Sequence, residues 1–182
     1  PMDELHPIDP QSAYGISKYA SEMYIRLHAN AHGLKYKILR YGNVYGPRQN
    51  PKGEAGVVGI FCGQLLGGIQ PTIYGDGTKT RDYVYVTDVA DANIRALQEA
   101  GDNAVYNLAY GEETSDYRIF EAIRNVLGSD IVPRYAMRRP GEANRVCLDN
   151  SKSVETLDWR PRCGLDDGIK QTADYYRNTL TG

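Results

Sequence analysis

The stretch Ala13-Tyr14-Gly15-Ile16-Ser17-Lys18 places a phenol and an ammonium four residues apart, at the start of a predicted amphipathic helix. Residues i and i+4 lie on one face of a helix, one turn apart. A cation beside a tyrosine favours the phenolate, which is a better base at neutral pH than the phenol. The pair therefore suits proton transfer to and from a hydroxyl group. A Tyr-x-x-x-Lys spacing alone is more often an ordinary helix surface, so the rest of the chain has to decide.

The residues around this stretch predict a helix followed by a strand. Apolar residues recur at three- and four-residue spacing from Tyr14 to about residue 31, with Ser12 as candidate N-cap and Gly33 as candidate stop. The next apolar run, residues 35–41, predicts a short strand that breaks before Asn43. Because ligands of parallel sheets bind beyond the carboxyl ends of the strands, we expect Asn43 near a ligand.

In the remainder of the chain, segments with the apolar spacing of helices alternate with segments typical of strands. Predicted helices span about 56–68, 87–99, 115–127, 151–157 and 164–180, and predicted strands about 73–77, 80–86, 105–109, 132–135 and 145–149. Thr87, Ser115 (or Thr114) and Ser151 are the candidate N-caps of three of these helices. The alternation predicts an α/β architecture. No Gly-x-Gly-x-x-Gly or Walker-type loop joins a strand to a helix in these residues, so a nucleotide cofactor site of those kinds lies elsewhere.

Composition excludes several classes of function. The 182 residues carry a net charge of −2, which argues against nucleic acid as a partner. No apolar run reaches membrane-spanning length, and no signal-peptide pattern is present, so no membrane partner is expected. The three cysteines form no Cys-x-x-Cys, and His28 and His32 lack recognisable acidic or cysteine partners, so no metal is expected. A reducing, cytoplasmic setting is the default expectation.

Five motifs occur in order along the chain: Tyr14-Gly15-Ile16-Ser17-Lys18, Leu39-Arg40-Tyr41-Gly42-Asn43-Val44-Tyr45-Gly46-Pro47-Arg48-Gln49, Ile73-Tyr74-Gly75-Asp76-Gly77, Thr80-Arg81-Asp82-Tyr83-Val84-Tyr85-Val86 and Arg139-Pro140-Gly141-Glu142. Together they resemble the C-terminal part of an extended short-chain dehydrogenase/reductase of the NAD-dependent epimerase/dehydratase family, most closely its UDP-glucose 4-epimerases. The resemblance covers nearly the whole chain. It implies the C-terminal part of a Rossmann-type parallel sheet, without the NAD-binding half, and a small α/β substrate-binding domain.

The resemblance also implies a division of the chain into two parts. Residues 1–46 and 79–109 would be the remaining elements of the Rossmann sheet, which carry the Tyr/Lys pair. Residues 47–78 and 110–182 would form the subdomain that binds the UDP-sugar.

The reaction implied by the resemblance is inversion at C4 of a UDP-hexose, UDP-glucose or UDP-galactose, through a 4-keto intermediate. Tyr14 would take the proton from the sugar 4-hydroxyl while NAD accepts the C4 hydride. Lys18 would favour the Tyr14 phenolate and hydrogen-bond the nicotinamide ribose, and Tyr41 would also lie beside the cofactor. The 4-keto sugar would then rotate within the site, and the hydride would return to the opposite face of the sugar.

The same resemblance assigns substrate contacts. Asn43 would contact the sugar nucleotide near its diphosphate, Arg81 and Arg139 would bind the phosphates, and Glu142 would contact the uridine ribose. Forked guanidinium donors suit a diphosphate. The remaining expected contacts are Val58, Tyr74 and Val146. From the residues alone, Arg81 could equally form a salt bridge to Asp82 or Asp76, and the Arg138-Arg139 pair could be solvated.

Two departures from the family pattern bear on the sugar pocket. Gly42 stands where the family often has Phe, which we expect to loosen the pocket. Val146 appears at a position whose bulk helps to decide whether N-acetylated sugars fit, and valine is small. We therefore expect tolerance of UDP-GlcNAc and UDP-GalNAc.

Alternatives remain open at this point. One is a nucleotide-sugar dehydratase or decarboxylase of the same family, and another is a non-catalytic fragment that binds sugar nucleotides. The glycine-rich turn and the Ser/Thr that precede the family tyrosine are absent, so we expect this chain to be the C-terminal half of a longer protein. By itself the chain should neither hold NAD nor catalyse the reaction. The whole fold is expected to form a homodimer through the helix that bears Tyr14 and Lys18.

Overall fold

The computed structural model describes residues 1–50, 56–98, 102–139 and 141–180. Its elements are α1 (Ala13–His32), β1 (Lys37–Tyr41), β2 (Asn43–Tyr45), α2 (Val57–Leu66), β3 (Thr72–Tyr74), β4 (Thr80–Arg81), β5 (Tyr83–Tyr85), α3 (Val86–Gln98), β6 (Ala104–Leu108), β7 (Thr114–Ser115), α4 (Asp116–Leu127), β8 (Arg134–Ala136), α5 (Ser151–Leu157) and α6 (Leu165–Leu180). The predicted α/β architecture is confirmed. Glu99 of the predicted third helix and Pro140 of the fifth motif lie outside the described residues.

Helix α1 has the predicted caps, Ser12 and Gly33, and extends one residue beyond the predicted helix at each end. The Ser12 hydroxyl accepts a hydrogen bond from the Gly15 N–H at 3.1 Å, which satisfies one of the free donors of the first turn. Gly33 ends the helix in the left-handed conformation with φ of 65°, which glycine adopts without steric cost. Within the helix only Ala29 is fully buried. Tertiary packing therefore covers little of α1 in the described part of the chain.

The strands pair two by two. β1 lies parallel to β6, β2 parallel to β5, and β3 parallel to β8, whereas β4 and β7 are antiparallel. The break that was predicted before Asn43 is present, but Asn43 then starts a second short strand, β2, and does not enter a loop. The carboxyl ends of β1 and β6 meet, since Tyr41 pairs with Leu108.

The single strand predicted over residues 80–86 is wrong, because Asp82 divides it into β4 and β5. The Asp82 side chain is fully buried and accepts hydrogen bonds from the backbone N–H groups of Tyr110, Gly111 and Leu148. A buried carboxylate needs such hydrogen-bond partners. Because the Asp82 side chain is buried to reach them, strand β4 ends at the residue before it.

Three other local predictions are also wrong. Residues 145–149 form one isolated bridge, Met2 with Leu148, and no strand, because their backbone bonds go to the N-terminal loop and to Asp82. Helix α3 begins at Val86, so Thr87 is not its cap. At α5 the cap position is Asn150, not Ser151. By contrast, the predicted cap at Ser115 is confirmed, with the Arg118 N–H 3.1 Å from its hydroxyl.

Two hydrophobic cores hold the described elements together. The larger core lies among α2, α4 and α6, and the smaller one lies between β5 and β6 and the helices α3 and α5. Trp159 is fully buried in the smaller core, where its indole N–H donates to the Asp88 carbonyl at 2.9 Å. Leu157 packs in the same core. The predicted division at residues 46, 78 and 109 stays a prediction, and this packing of residues 157–159 crosses it.

Candidate active site

Tyr14 and Lys18 share one face of the first turns of α1. The Lys18 ammonium lies 5.2 Å from the centroid of the Tyr14 ring. The Tyr14 side chain is 70% exposed, and both residues line a cleft of about 930 Å³ between α1, β1 and the N-terminal loop. A phenol and a cation that face an open cleft can move a proton to and from a bound hydroxyl.

Tyr41 lines the same cleft from the carboxyl end of β1. Its hydroxyl donates a hydrogen bond of 3.0 Å to the side-chain oxygen of Asn93 on α3. The Asn93 amide in turn donates to the Val89 carbonyl at 2.7 Å. The fold therefore brings together the three residues that were expected beside the cofactor, Tyr14, Lys18 and Tyr41.

A second group of predicted residues meets at the loop that follows β8. The Arg139 guanidinium lies 4.0 Å from the centroid of the Tyr74 ring, and its Nη1 lies 3.9 Å from Glu142 Oε1. A hydrogen bond with the Tyr74 hydroxyl raises the pKa of Arg139 above its ordinary value. A flat cation on an aromatic face, with a carboxylate beside it, can recognise an anionic group and hydroxyl groups together.

The Glu142 carboxylate has a further cationic partner. Lys79 Nζ lies 2.8 Å from Glu142 Oε2 and 3.1 Å from Asp116 Oδ2. Partial burial would raise the pKa of Glu142, but the hydrogen bond and charge of Lys79, together with the charges of Arg139 and Arg81, outweigh burial, so the pKa lies below its ordinary value. Glu142 is thus held as an anion that can accept hydrogen bonds.

Arg81 joins β4 to the same loop. Its Nη1 donates to the carbonyls of Thr80 at 2.7 Å and Ala143 at 2.9 Å. The two alternative partners are otherwise engaged: Asp76 accepts from Thr78, and Asp82 accepts from backbone N–H groups. The structure therefore favours neither of the salt bridges that the sequence left open for Arg81.

The other expected contact residues differ in their accessibility. The Asn43 side chain is exposed, and its backbone N–H donates to the Asp82 carbonyl at 2.6 Å. Val146 is half-buried in the segment that follows Glu142. Val58 is 1% exposed and packs in the larger core, so its side chain does not reach a ligand and only its backbone could.

Gly42 lines the cleft that Tyr14 faces, and the expectation that it loosens the sugar pocket stays a prediction. A Cβ at this position would lie 2.8 Å from the Asp82 carbonyl oxygen and 3.2 Å from the Ala109 Cβ. In this structure the neighbouring backbone lies so close where β1 passes into β2 that a side chain at this position would require it to shift.

Two site residues were missed at the level of sequence. Asp82 carried a signal, since an acidic residue inside an apolar β run is buried only with hydrogen-bond partners. Lys79 carried none, because a lysine in a polar turn ordinarily points into solvent. Its two carboxylate partners come from α4 and from the loop after β8, which only the tertiary fold brings together.

The cleft fits one end of a dinucleotide. Tyr14, Lys18 and Tyr41 offer hydroxyl and ammonium groups to a ribose and a ring amide, whereas a glycine-rich turn for a pyrophosphate is absent from the sequence. In the described part of the chain, no three His, Cys, Asp or Glu side chains lie close enough together to hold a metal ion. None of the described helices has the length and apolarity needed to cross a membrane.

Comparison with protein-family models decides the classification. Residues 1–109 match the model of the NAD dependent epimerase/dehydratase family. The chain belongs to this family. The resemblance drawn from the five motifs is thereby confirmed, and so is the Rossmann-like α/β fold.

Individual members of the family agree with this classification. A putative UDP-glucose 4-epimerase of Methanocaldococcus jannaschii is 47% identical over 178 residues, which cover 98% of this chain and 57% of the relative. The solved UDP-glucose 4-epimerase of Thermotoga maritima, in complex with UDP-glucose, is 46% identical with a TM-score of 0.96, over 99% of this chain and 58% of that one. The chain thus spans little more than half the length of these two relatives.

Other members of the family carry different activities in their names. The solved UDP-N-acetylglucosamine 4-epimerase of Methanobrevibacter ruminantium, in complex with UDP-N-acetylmuramic acid, is 34% identical with a TM-score of 0.93, over 98% of this chain and 58% of that one. A dTDP-glucose 4,6-dehydratase of an Actinoplanes species is 32% identical over 175 residues, which cover 96% of this chain and 54% of the relative. The family is enzymatic, and its members are named for nucleotide-sugar chemistry.

Proposed function

We propose that this chain is the sugar-nucleotide-binding part of an NAD-dependent enzyme that epimerises a UDP-hexose at C4. The observation that carries the proposal is the presence of two separate groups in one chain. The Tyr14–Lys18 pair faces a cleft, and the Tyr74–Arg139–Glu142 cluster offers a stacked guanidinium and an anionic carboxylate. The first group suits proton transfer at a hydroxyl, and the second suits recognition of a nucleoside diphosphate.

In this proposal Tyr14 takes the proton from the sugar 4-hydroxyl and later returns one to the 4-keto oxygen. Lys18, 5.2 Å from the Tyr14 ring, stabilises the negative charge that the phenol acquires and reaches the nicotinamide ribose. NAD, when bound, accepts the C4 hydride and gives it back to the opposite face. Tyr41, anchored through Asn93, forms the wall of the cleft beside the cofactor.

The remaining assignments concern the nucleotide. Arg81 and Arg139 bind the diphosphate, Glu142 accepts the ribose hydroxyls, and Asn43 contacts the substrate near the diphosphate. Arg81 would exchange its bond to the Ala143 carbonyl for a phosphate oxygen, which is a stronger, charge-assisted acceptor. The chain alone lacks most of the cofactor site, so we expect it to bind UDP and not to turn over.

The experiment has two arms. Isothermal titration of the 182-residue chain with UDP tests the binding site, and a dissociation constant in the micromolar range is expected. The second arm uses a chimaera, in which this chain is joined to the part of the Methanocaldococcus jannaschii relative that it does not match. With NAD the chimaera should interconvert UDP-glucose and UDP-galactose. Absence of UDP binding by a folded chain would overturn the proposal.

The N-acetylated sugars are the finer part of this proposal. The half-buried Val146 is small, and one similar protein is named a UDP-N-acetylglucosamine 4-epimerase. The chimaera should therefore also epimerise UDP-GlcNAc, and Val146→Phe should remove that activity while UDP-glucose still reacts. No turnover of UDP-GlcNAc by the unsubstituted chimaera would contradict it.

A dehydratase is the second candidate, because a dTDP-glucose 4,6-dehydratase is 32% identical to this chain. The sequence favours the epimerase, since Tyr41-Gly42-Asn43 replaces the Ser-Asn-Asn that dehydratases tend to carry before their Tyr-Gly-Pro. Mass spectrometry of the product separates the two activities. An epimerase leaves the mass of the sugar nucleotide unchanged, whereas a dehydratase product has lost one water.

A further inference from the structure

Lys79 is a basic side chain near the nucleotide cluster to which neither the sequence nor the proposed function gives a role. It precedes β4, and its side chain is 18% exposed. Its ammonium joins two carboxylates, Glu142 on the loop after β8 and Asp116 at the first position of α4. Asp116 is itself 8% exposed. A lysine between two such carboxylates, from different elements, has little freedom to move.

The backbone of Lys79 is fixed as firmly as its ammonium. Its carbonyl accepts the Asp116 N–H at 3.0 Å, and the next residue, Thr80, pairs with Ser115 in the antiparallel β4–β7 ladder. Both ends of the lysine are therefore tied to the beginning of α4. The side chain spans from this rigid point to Glu142, so the position of the ammonium determines where the carboxylate lies.

The loop itself does not depend on Lys79. The Thr80 N–H donates to the Asn144 carbonyl at 3.0 Å, and Arg81 donates to the Ala143 carbonyl at 2.9 Å. These two bonds hold the backbone that follows Glu142. Removal of the Lys79 ammonium should therefore leave the loop in place and free only the carboxylate.

The geometry of Glu142 leaves one oxygen available. Lys79 contacts Oε2 at 2.8 Å, whereas Oε1 has Arg139 at 3.9 Å, beyond hydrogen-bond distance. Oε1 can accept hydroxyl groups of a ligand without losing the lysine. Without Lys79, two carboxylates that now share one ammonium would repel each other, and Glu142 would turn away from Asp116.

We propose that Lys79 is a positioning residue, which holds Glu142 in the orientation that reads the ribose hydroxyls of the nucleotide. This inference rests on the proposed function, because it takes Glu142 as the ribose acceptor. Lys79 contributes to the choice of a ribonucleotide and not to proton transfer.

The test compares two ligands in the 182-residue chain by isothermal titration: UDP, and 2′,3′-dideoxy-UDP, which lacks both ribose hydroxyls. The unsubstituted chain should bind UDP about tenfold or more tightly than the dideoxy nucleotide, since bonds to a charged acceptor are lost. Lys79→Met should reduce that ratio to about one or two, because the carboxylate is no longer held. Lys79→Arg, which keeps a cation between the carboxylates, should restore it.

Two controls test whether a change in the ratio of the two affinities is specific to Lys79. Lys35→Met removes an exposed lysine that also pairs with a carboxylate, Asp102 at 2.9 Å, and should leave the ratio unchanged. Thermal melting should show the Lys79→Met chain folded at the titration temperature. If it is not, Lys79→Gln, which is shorter and uncharged but can still hydrogen-bond, takes its place with the same expected loss.

The outcomes separate the inference from the function on which it rests. If the unsubstituted chain binds neither nucleotide, the proposed function is wrong. If it binds UDP and the dideoxy nucleotide equally, Glu142 is not the ribose acceptor and the inference is wrong with it. If both the unsubstituted chain and Lys79→Met prefer UDP to the dideoxy nucleotide by the same ratio, the proposed UDP site is supported and the role of Lys79 is overturned.

Discussion

Tyr14 and Tyr24 are two tyrosines of the same helix with nearly equal exposure, 70% and 65%. Their neighbours differ. Tyr14 has the Lys18 ammonium 5.2 Å from its ring and lines the cleft, whereas Tyr24 is not among the residues that line it. If exposure alone made a tyrosine reactive, the two would be interchangeable, and the chemistry is therefore expected from the neighbourhood of Tyr14.

Replacement of Tyr14 by Phe tests this assignment in the chimaera. We expect kcat for UDP-glucose epimerisation to fall by about 10²–10⁴-fold, because the phenol is the group that moves the proton. The dissociation constant for UDP should stay within twofold, since the nucleotide binds elsewhere. Tyr24→Phe is the matched control and should retain activity. Full activity in Tyr14→Phe would remove the tyrosine from the mechanism.

Arg139 gives a second prediction at this scale, because its guanidinium lies over the Tyr74 ring, 4.0 Å from the ring centroid. Arg139→Lys keeps the charge and loses the planar fork and the stacking. UDP affinity should fall about five- to tenfold, which titration of the chain can measure. Arg160→Lys, an exposed arginine on the turn after Trp159, should have no effect. An unchanged affinity in Arg139→Lys would show that charge alone suffices.

Val58 and Gly42 show which properties of a site a local sequence pattern leaves out. Val58 was expected to contact the substrate and Gly42 to loosen its pocket, yet the fold buries the Val58 side chain in the core and brings the Asp82 carbonyl close to Gly42. Side-chain burial and the distance between neighbouring strands are properties of tertiary packing. A local pattern does not contain them, whereas the i, i+4 spacing of Tyr14 and Lys18 does fix their common face.

At the scale of elements, an ion pair links α1 to the sheet. Arg40 of β1 donates from Nε and Nη2 to the two oxygens of Glu22, each at 2.7 Å, and the Glu22 side chain is 13% exposed. A bidentate pair of this kind fixes the rotation of the helix about its axis. It therefore helps to decide that Tyr14 and Lys18 face the cleft.

Arg40→Met should destabilise the chain by about 1–3 kcal/mol, because it leaves the Glu22 carboxylate partly buried without its main partner. Arg26→Met offers a matched control on the same carboxylate. Arg26 is 45% exposed and lies 3.8 Å from Glu22, so its loss should cost at most about 0.5 kcal/mol. Urea unfolding measures both values. Equal effects of the two substitutions would contradict the special role of Arg40.

A second ion pair joins the segment before β7 to the loop that precedes α5 and should be visible in the pH dependence of stability. Arg145 donates to both oxygens of Glu113, at 2.7 and 2.9 Å, and with Thr80 it lowers the pKa of Glu113 from 4.5 to about 2. The folded state therefore holds this carboxylate ionised to lower pH than the unfolded state does. Its stabilising contribution is present above pH 4.5 and is lost as pH falls toward about 2.

Glu113→Gln should flatten that part of the pH profile. Melting temperatures measured between pH 6 and pH 2 should fall less steeply for Glu113→Gln than for the unsubstituted chain. Glu112→Gln, the neighbouring carboxylate, serves as control and should keep the original slope. Parallel profiles for all three chains would show that the Glu113 pair contributes nothing measurable.

Sequence patterns located the elements well and their interruptions poorly. The periodicity of α1, the cap at Ser115 and the glycine stops were predicted, because capping and helix faces depend on residues a few positions apart. The division of residues 80–86 at Asp82 was not, since the partners of that carboxylate lie at Tyr110, Gly111 and Leu148. Bonds over such separations are invisible to a local pattern.

At the scale of the whole molecule, α1 presents an uncovered apolar face. Ile16, Met23, Tyr24 and Leu27 recur at helical spacing, and each is 56–65% exposed. Exposed apolar faces of this size are typical of surfaces that another protein covers. The chain spans 57% of the length of a curated relative, so a whole relative has further residues that could cover part of this surface. In this chain by itself, we expect the face to pack against a second copy.

The prediction is concentration-dependent association through α1. Sedimentation velocity of the 182-residue chain should show species larger than 20.3 kDa that grow with concentration in the micromolar range. Met23→Lys with Leu27→Lys places two charges in the apolar face and should shift the chain toward monomer, because charges in an apolar contact are costly to desolvate. Leu97→Lys changes an equally apolar side chain on a different helix, α3, where it is 87% exposed, and should leave association unchanged. If the charged double variant sediments like the unsubstituted chain, α1 is not the contact, and the exposed edge of β1 opposite β6 becomes the surface to examine.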